Sequence, residues 1–463
     1  MAQQPPTPTS PPGSAGPPAP DEQRRGLLER IGIPKPLTWG FVGVLIFMIG
    51  DGVEITYLTD YLQRSDGGGL AGSQASFATV TIYGIAVMIA SWFSGTLSSI
   101  WGPRRVMWLG AAWWIVFEVL FLWVAIPTQS FALIVTIYGI RGFAYPLFSY
   151  AFLVWAQVAS PVHMRGSVAG WFWFVFTGGL PTLGAGVAAL ATGPLNMSLH
   201  GSLVLSLALV AVGAAIGCFG VREPHGTRPI AEAGVANPRS LRRLFEGVDI
   251  LWRDKRTISG GLTRIVNTAP EFGFFAMFPF TFGLDGENGF LTTAEIAALT
   301  SIVYGANIAA NLFFGVFGDY FGWRRTVTWF GCIGCAIATP LWYFASIASG
   351  SFVVSAVLGS IYGILLAGFV PLSALMPSMV SDKDKGSALA VLNFGAGGAA
   401  LLGPLTVTAL YPFLGGGGVV IAFALMYIAV GFLSTTVKDS SDPGEKKLQD
   451  SDAVGAKQAP AGA

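Results

Sequence analysis

Twelve apolar stretches, each close to or above the ~20 residues that span a bilayer's hydrocarbon core as a helix, constrain this chain more than any other feature. They cover roughly 37–61, 73–100, 105–126, 130–157, 166–190, 198–221, 258–284, 293–318, 325–346, 351–380, 387–411 and 417–437. Inside lipid only helices and closed barrels satisfy their own backbone polar groups, and runs of this length select helices. Charge content agrees, with 11% Asp, Glu, Lys and Arg against about 25% in soluble domains. A net charge of +1 gives no basis for a nucleic-acid partner.

Basic residues alternate between the connections. Arg24, Arg25, Arg30 and Lys35 precede span 1, Arg104 and Arg105 separate spans 2 and 3, and Arg165 separates 4 and 5. Arg324 and Arg325 separate spans 8 and 9, and Lys383 and Lys385 separate 10 and 11. The 222–257 connection adds Arg222, Arg228, Arg239, Arg242, Arg243, Arg253, Lys255 and Arg256, whereas the opposite connections hold only Arg64. Lys and Arg concentrate on the cytoplasmic side of membrane proteins. Both termini are therefore expected in the cytoplasm, with the chain in the cell (inner or plasma) membrane. Residues 1–36 and 438–463 read as disordered tails, the first without the apolar core of a signal peptide. Within the central loop, Ser240–Gly247 reads as a short amphipathic helix on anionic headgroups.

The two halves repeat. Gly95-Thr-Leu-Ser-Ser-Ile-Trp-Gly102-Pro-Arg104-Arg105 returns as Gly315-Val-Phe-Gly-Asp319-Tyr-Phe-Gly322-Trp-Arg324-Arg325. Ile137-Tyr-Gly-Ile140 returns as Ile361-Tyr-Gly-Ile364, and Arg165-Gly-Ser167 as Lys385-Gly-Ser387. One offset of about 220 residues serves all three, so 37–221 and 258–437 are related six-helix bundles joined by the 222–257 loop.

This arrangement, with the Gly-x-x-x-Asp-x-x-Gly-x-Arg-Arg loop after spans 2 and 8, resembles the major facilitator superfamily. The resemblance implies an all-α membrane protein of twelve transmembrane helices in two pseudo-symmetric bundles. It also implies gating roles for Gly95, Gly102, Arg104, Arg105, Asp319, Gly322, Arg324 and Arg325. The first loop departs from the pattern, with Ser99 in place of the acid and Pro103 where a basic residue is usual. Ile33-Pro34-Lys-Pro-Leu-Thr-Trp39-Gly40, Gly50-Asp51-Gly52-x-Glu54 and Arg141-Gly142-Phe-Ala-Tyr145-Pro146-Leu147-Phe148 further resemble the polyol permease group, which includes ribitol and D-arabinitol transporters.

Asp51 and Glu54 stand three apart in the middle of span 1, on one helix face. A carboxylate near mid-membrane costs at least ~2.5 kcal/mol, so the pair needs a cation or a polar cavity. Arg141 in span 4 is the cation in reach. With 1.5 Å per residue, Asp51 lies about 20 Å and Arg141 about 13 Å above the cytoplasmic edge, a gap one arginine side chain closes. The expectation is an Asp51–Arg141 pair with Glu54 as second acceptor. Proton-coupled sugar porters of the superfamily pair an acid in span 1 with an arginine in span 4. By that resemblance Asp51 carries the proton and Arg141 tunes its affinity. The alternative is interhelical glue. Glu118 in span 3 has no evident partner.

In span 7, Asn267 and Glu271 are expected to face substrate, while Arg264 is expected to snorkel toward the cytoplasm. Tyr57, Tyr145, Gln157, Trp173, Tyr304, Asn307, Asn311 and Asn393 add phenol, amide and indole groups within spans, a set suited to a neutral polyhydroxyl ligand. The leading expectation is a monomeric proton symporter importing a pentitol or hexitol by alternating access. A small-carboxylate symporter or drug/proton antiporter is the alternative, and a non-transporting receptor or scaffold a more distant one. No enzyme chemistry is expected, since no span pairs a nucleophile with a base and His163, His200 and His225 sit at or beyond span ends. No cofactor or metal is expected. The glycine runs Gly178–Gly186 and Gly395–Gly403 lack the strand and lysine of a phosphate loop and read as close helix packing. The Cys332-Ile-Gly-Cys335 spacing reads as apolar packing too.

Overall fold

A computed structural model describes residues 27–229, 248, 250–284, 286–381 and 384–437. Ten helical stretches in it are long and apolar enough to cross a membrane. Six belong to the first half: α1 (Lys35–Gln63), α2 (Phe77–Trp101), α3 (Pro103–Thr128), α4 (Phe131–Ala159), α5 (Val162–Thr192) and α6 (Leu199–Gly220). The second half opens with α7 (Lys255–Thr281), less apolar because it carries Lys255, Arg256, Arg264 and Glu271. It continues with α8 (Glu295–Phe321), α9 (Trp323–Ser349) and α10 (Phe352–Ser378). The last stretch, Lys385–Ser434, is two helices. Gly415, at φ 61° and ψ −178°, breaks it into α11 before and α12 after, a conformation open to glycine and strained for other residues. That yields the expected twelve spans.

Between helices the packing is built from small residues, because lipid tails are as apolar as leucine and only close approach adds attraction. A Cβ on Gly52 of α1 would lie 2.0 Å from the Leu180 carbonyl oxygen of α5. One on Gly403 of α11 would lie 2.1 Å from the Ala269 carbonyl oxygen of α7. Both glycine runs thus include backbone contacts between helices. Several spans widen by one residue per turn, at Phe77–Ile82, Phe121–Ala125, Pro146–Tyr150, Gly178–Leu183 and Val327–Gly334. In two of them a proline withholds its backbone donor. Cys218, Cys332 and Cys335 are free and buried.

The end of the N-terminal tail is more ordered than its composition suggests. Leu27–Arg30 forms a helical turn, Ile33 is buried, and Trp171 of α5 donates to the Ile31 carbonyl at 2.6 Å. The anchoring is side-chain burial against α5, which residue-by-residue polarity does not register. The amphipathic stretch expected at Ser240–Gly247, Lys383, and the tails 1–26 and 438–463 lie outside the described residues.

Candidate functional site

Two features occupy the middle of the helical bundle. The first is a charge cluster inside the N-terminal half. α1 presents Asp51 and Glu54, α3 presents Trp114 and Glu118 one turn apart, and α4 presents Arg141; all are at most 1% exposed. Glu54 grips both terminal nitrogens of Arg141, through Oε1 on Nη2 and through Oε2 on Nη1 at 2.5 Å. Arg141 Nη1 also donates to Glu118 Oε2 at 2.7 Å. Asp51 instead accepts from Trp114 Nε1 at 2.8 Å. The guanidinium lies 4.6 Å from the Trp114 ring centre and 4.7 Å from that of Tyr138, a cation–π cradle.

The expected Asp51–Arg141 contact is therefore not made. Side chains lean toward the N-terminus of their own helix. Since α1 and α4 run in opposite directions, the Glu54 carboxylate tips toward Arg141 and the guanidinium tips up toward it. Asp51, one turn earlier on α1, accepts from Trp114 of α3 instead. Glu118, partnerless in sequence, is the second acceptor of the arginine. Among the described residues no cluster of His, Cys, Asp and Glu is arranged to hold a metal ion; here the guanidinium fills the centre.

The second feature is a cavity of about 500 Å³ between the halves. Of the residues expected to face substrate, Tyr145, Trp173, Glu271, Tyr304 and Asn307 line it. So does Arg264, contrary to the snorkelling expectation. It is 2% exposed, with its guanidinium 3.9 Å from the Phe369 ring centre and 4.4 Å from that of Trp173 across the interface. Its Nη1 donates to Thr268 at 2.8 Å, and its Nε has no partner among the described residues. The aromatic pair gives the charge a better seat than a reach to the interface, because no water is needed to face it.

The other expected residues stand off the cavity. Tyr57 shares a hydrogen bond with Thr192 at 2.9 Å, and Gln157 donates to the Arg165 carbonyl at 3.1 Å. Asn267 donates to the Gly331 carbonyl, and Asn393 donates to Ser94 across the two halves at 3.0 Å. Asn311 donates to Thr177 and Asn307, both lining residues, at 3.3 and 3.4 Å. Lining residues that the sequence did not single out are Thr56, Thr59, Thr79, Tyr83, Tyr138 and Tyr150. Their signal was present as hydroxyls on apolar helices, but not which face each helix turns inward.

The two features touch without merging. Asp51, Glu54 and Arg141 are absent from the cavity wall, whereas Gly52, Tyr83 and Tyr138 belong to it. The Tyr83 and Tyr138 rings stack at 4.7 Å, with Arg141 facing both.

At the basic end of the bundle, Asp319 of α8 caps the start of α5. Its carboxylate accepts from Gly166 N at 2.9 Å, Ser167 N at 2.8 Å and Ser167 Oγ at 2.7 Å, and from Trp323 Nε1 at 2.9 Å. Gly102 and Gly322 turn the two loops at φ 86° and 110°. In the first half Ser99 bonds back to the Gly95 carbonyl at 3.1 Å. Arg104 Nε donates to the Cys218 carbonyl at 3.0 Å, Arg105 is exposed, and Arg324 and Arg325 are half-buried.

The family model described as Major Facilitator Superfamily matches residues 4–184 and 260–460. The chain belongs to the major facilitator superfamily. An alpha-ketoglutarate permease of Bacillus subtilis is 36% identical, covering 88% of this chain and 90% of its own. A D-arabinitol transporter and a ribitol transporter of Klebsiella pneumoniae are each 34% identical, covering 88% of this chain and 93% of theirs. Among solved structures, a proton:xylose symporter of the superfamily superposes with a TM-score of 0.68 at 15% identity, covering 88% of this chain and 96% of that one. The chain is thus a multi-pass membrane transporter and not an enzyme.

Proposed function

We propose that this transporter imports a sugar alcohol by proton symport and alternating access, as a monomer in the plasma membrane with both termini cytoplasmic. The observation that carries the substrate class is the wall of the central cavity. Its charged groups are one arginine and one glutamate, Arg264 and Glu271, set among phenols, threonine hydroxyls and Asn307. A wall of zero net charge with many donors and acceptors suits a neutral polyhydroxyl ligand, with Trp173 and Phe369 against its C–H face. The D-arabinitol and ribitol relatives support the same class.

A small carboxylate is the second reading, favoured by the unpartnered Nε of Arg264 and by the alpha-ketoglutarate relative. A dianion would find one cation and, beside it, a repelling Glu271. The neutral ligand is the better fit.

For coupling, Asp51 is the proton carrier, and Glu54 and Arg141 form the fixed pair that adjusts its affinity. The cavity wall follows α1 from Gly52 to Thr59, away from the Asp319 cap. This arrangement corresponds to an outward-facing state with the cytoplasmic end latched. Rocking would release Asp319, open the other end and admit water to the cluster. Uptake of labelled ribitol, arabinitol, xylitol, mannitol and 2-oxoglutarate into proteoliposomes, with and without an imposed pH gradient, tests the reading. Polyol uptake raised by an inward proton gradient is expected; preference for 2-oxoglutarate would replace the substrate class, and gradient-insensitive uptake would remove symport.

A further inference from the structure

Three carboxylates and one guanidinium share the buried cluster. The titratable groups that act on Glu118 are Asp51 and Glu54 from α1 and Tyr138 and Arg141 from α4, with Tyr83 of α2 facing Arg141. Of these only Arg141 is basic. Glu54 takes both its terminal nitrogens and balances its charge. Glu118 shares Nη1 with Glu54 and Asp51 has only Trp114, so one positive charge serves three buried carboxyl groups, and proteins relieve an uncompensated buried anion by binding a proton to it.

Two observations at the atoms themselves agree. Asp51 Oδ2 and Glu118 Oε1 are buried and have no hydrogen-bond partner among the described residues. The carboxyl groups of Glu54 and Glu118 also converge on one donor, Arg141 Nη1, which sets two acidic groups side by side and favours a proton on one of them.

We propose that Glu118 is a second proton site beside Asp51, so that the cluster carries two protons with each substrate molecule. The inference rests on the proton-symport reading and extends it. Asp51 and Glu118 flank the Glu54–Arg141 pair from different helices, α1 and α3. Both protons are taken up while the cluster faces outside and both leave, as hydrated protons, once water reaches it from inside. Glu54 keeps its charge throughout as the partner of Arg141.

The test is steady-state accumulation of the best-transported polyol in proteoliposomes holding the full-length protein. Membrane voltage is clamped at zero and a gradient of one pH unit is imposed. Each coupled proton multiplies the limiting ratio by about ten per pH unit. Two protons therefore predict about 100-fold accumulation for the native chain and about tenfold for Glu118→Gln. Tenfold in the native chain, or an unchanged ratio in Glu118→Gln, would overturn the inference and leave symport standing. A ratio indifferent to pH would overturn both. Should Glu118→Gln fail to transport, the native ratio still decides. The infrared carboxylic-acid absorption of purified protein gives a further readout, expected to shrink in Glu118→Gln; an unchanged band would count against a proton on this side chain.

Discussion

Glu54 and Arg141 reach each other because their helices run in opposite directions, so that each side chain leans toward the other along the membrane normal. The result is a two-pronged salt bridge wholly enclosed by the first four helices. A buried pair is costly to break from one side, since the remaining charge has no water to turn to.

Arg141→Ala should therefore destabilise the protein by about 3–5 kcal/mol, leaving the buried Glu54 carboxylate without its cation. Arg141→Lys should recover little, because a compact ammonium cannot hold Glu54 bidentately and Glu118 at once. Thermal denaturation in detergent checks both. Full recovery by lysine would mean that charge alone, and not the planar fork, holds the cluster.

Arg264 plays a different part. It bonds Thr268 and otherwise faces aromatic rings and the cavity. Arg264→Gln should leave folding near native and raise KM for polyol about tenfold or more, the loss of a hydrogen bond from a charged group being worth ~1.5–3 kcal/mol. Initial uptake rates against substrate concentration measure this. An unchanged KM would remove Arg264 from the binding site.

The Asp319 cap ties the halves together at the basic end through one of the two related loops, since Ser99 at the matching place of the other bonds the Gly95 carbonyl instead. Asp319→Asn weakens the charge-assisted bonds to Gly166 and Ser167 by ~1–2 kcal/mol and should shift the population toward the state open at that end. A cysteine replacing Thr56, an exposed cavity residue, reports on it in a background lacking Cys218, Cys332 and Cys335. Its labelling by a membrane-impermeant thiol reagent from outside should slow in Asp319→Asn. Equal rates would show that the cap does not set the balance.

Gly52 and Gly186 make a matched pair. An added methyl at Gly52 meets the Leu180 carbonyl, whereas nothing lies within 4 Å at Gly186. Gly52→Ala should cost about 1–3 kcal/mol as overpacking, with Gly186→Ala near neutral. Equal melting temperatures for the two would refute the close-packing account of α1 against α5.

Much of this architecture was legible in the sequence, for a physical reason. Membrane helices must be long and apolar, and basic loops must sit on one side, so hydropathy and arginine placement fix span number and pairing of the halves. Sequence spacing also placed Asp51 and Glu54 on one face. It could not say which would meet Arg141, because the answer depends on where Trp114 of α3 and Arg141 of α4 come to rest around the pair. Glu118 and Trp114 stand one turn apart on α3, but nothing in an apolar helix marks which face turns inward. The same ambiguity hid Arg264, whose position near a helix end suited snorkelling until Trp173 and Phe369 came together around it. Asn267 and Asn393 illustrate the converse: an amide in a span bonds the nearest backbone or hydroxyl, and only the assembled bundle shows whether a cavity is nearer.

The central claim is that polyol and protons move together through neighbouring but separate sites, the cavity and the Asp51 cluster. The most direct measurement is proton movement on adding polyol to de-energised, protein-containing vesicles in weakly buffered medium. The account predicts alkalinisation of the medium in step with polyol entry, lost in part in Asp51→Asn although substrate exchange persists. Polyol entry with no alkalinisation, or an undiminished proton signal in Asp51→Asn, would contradict it.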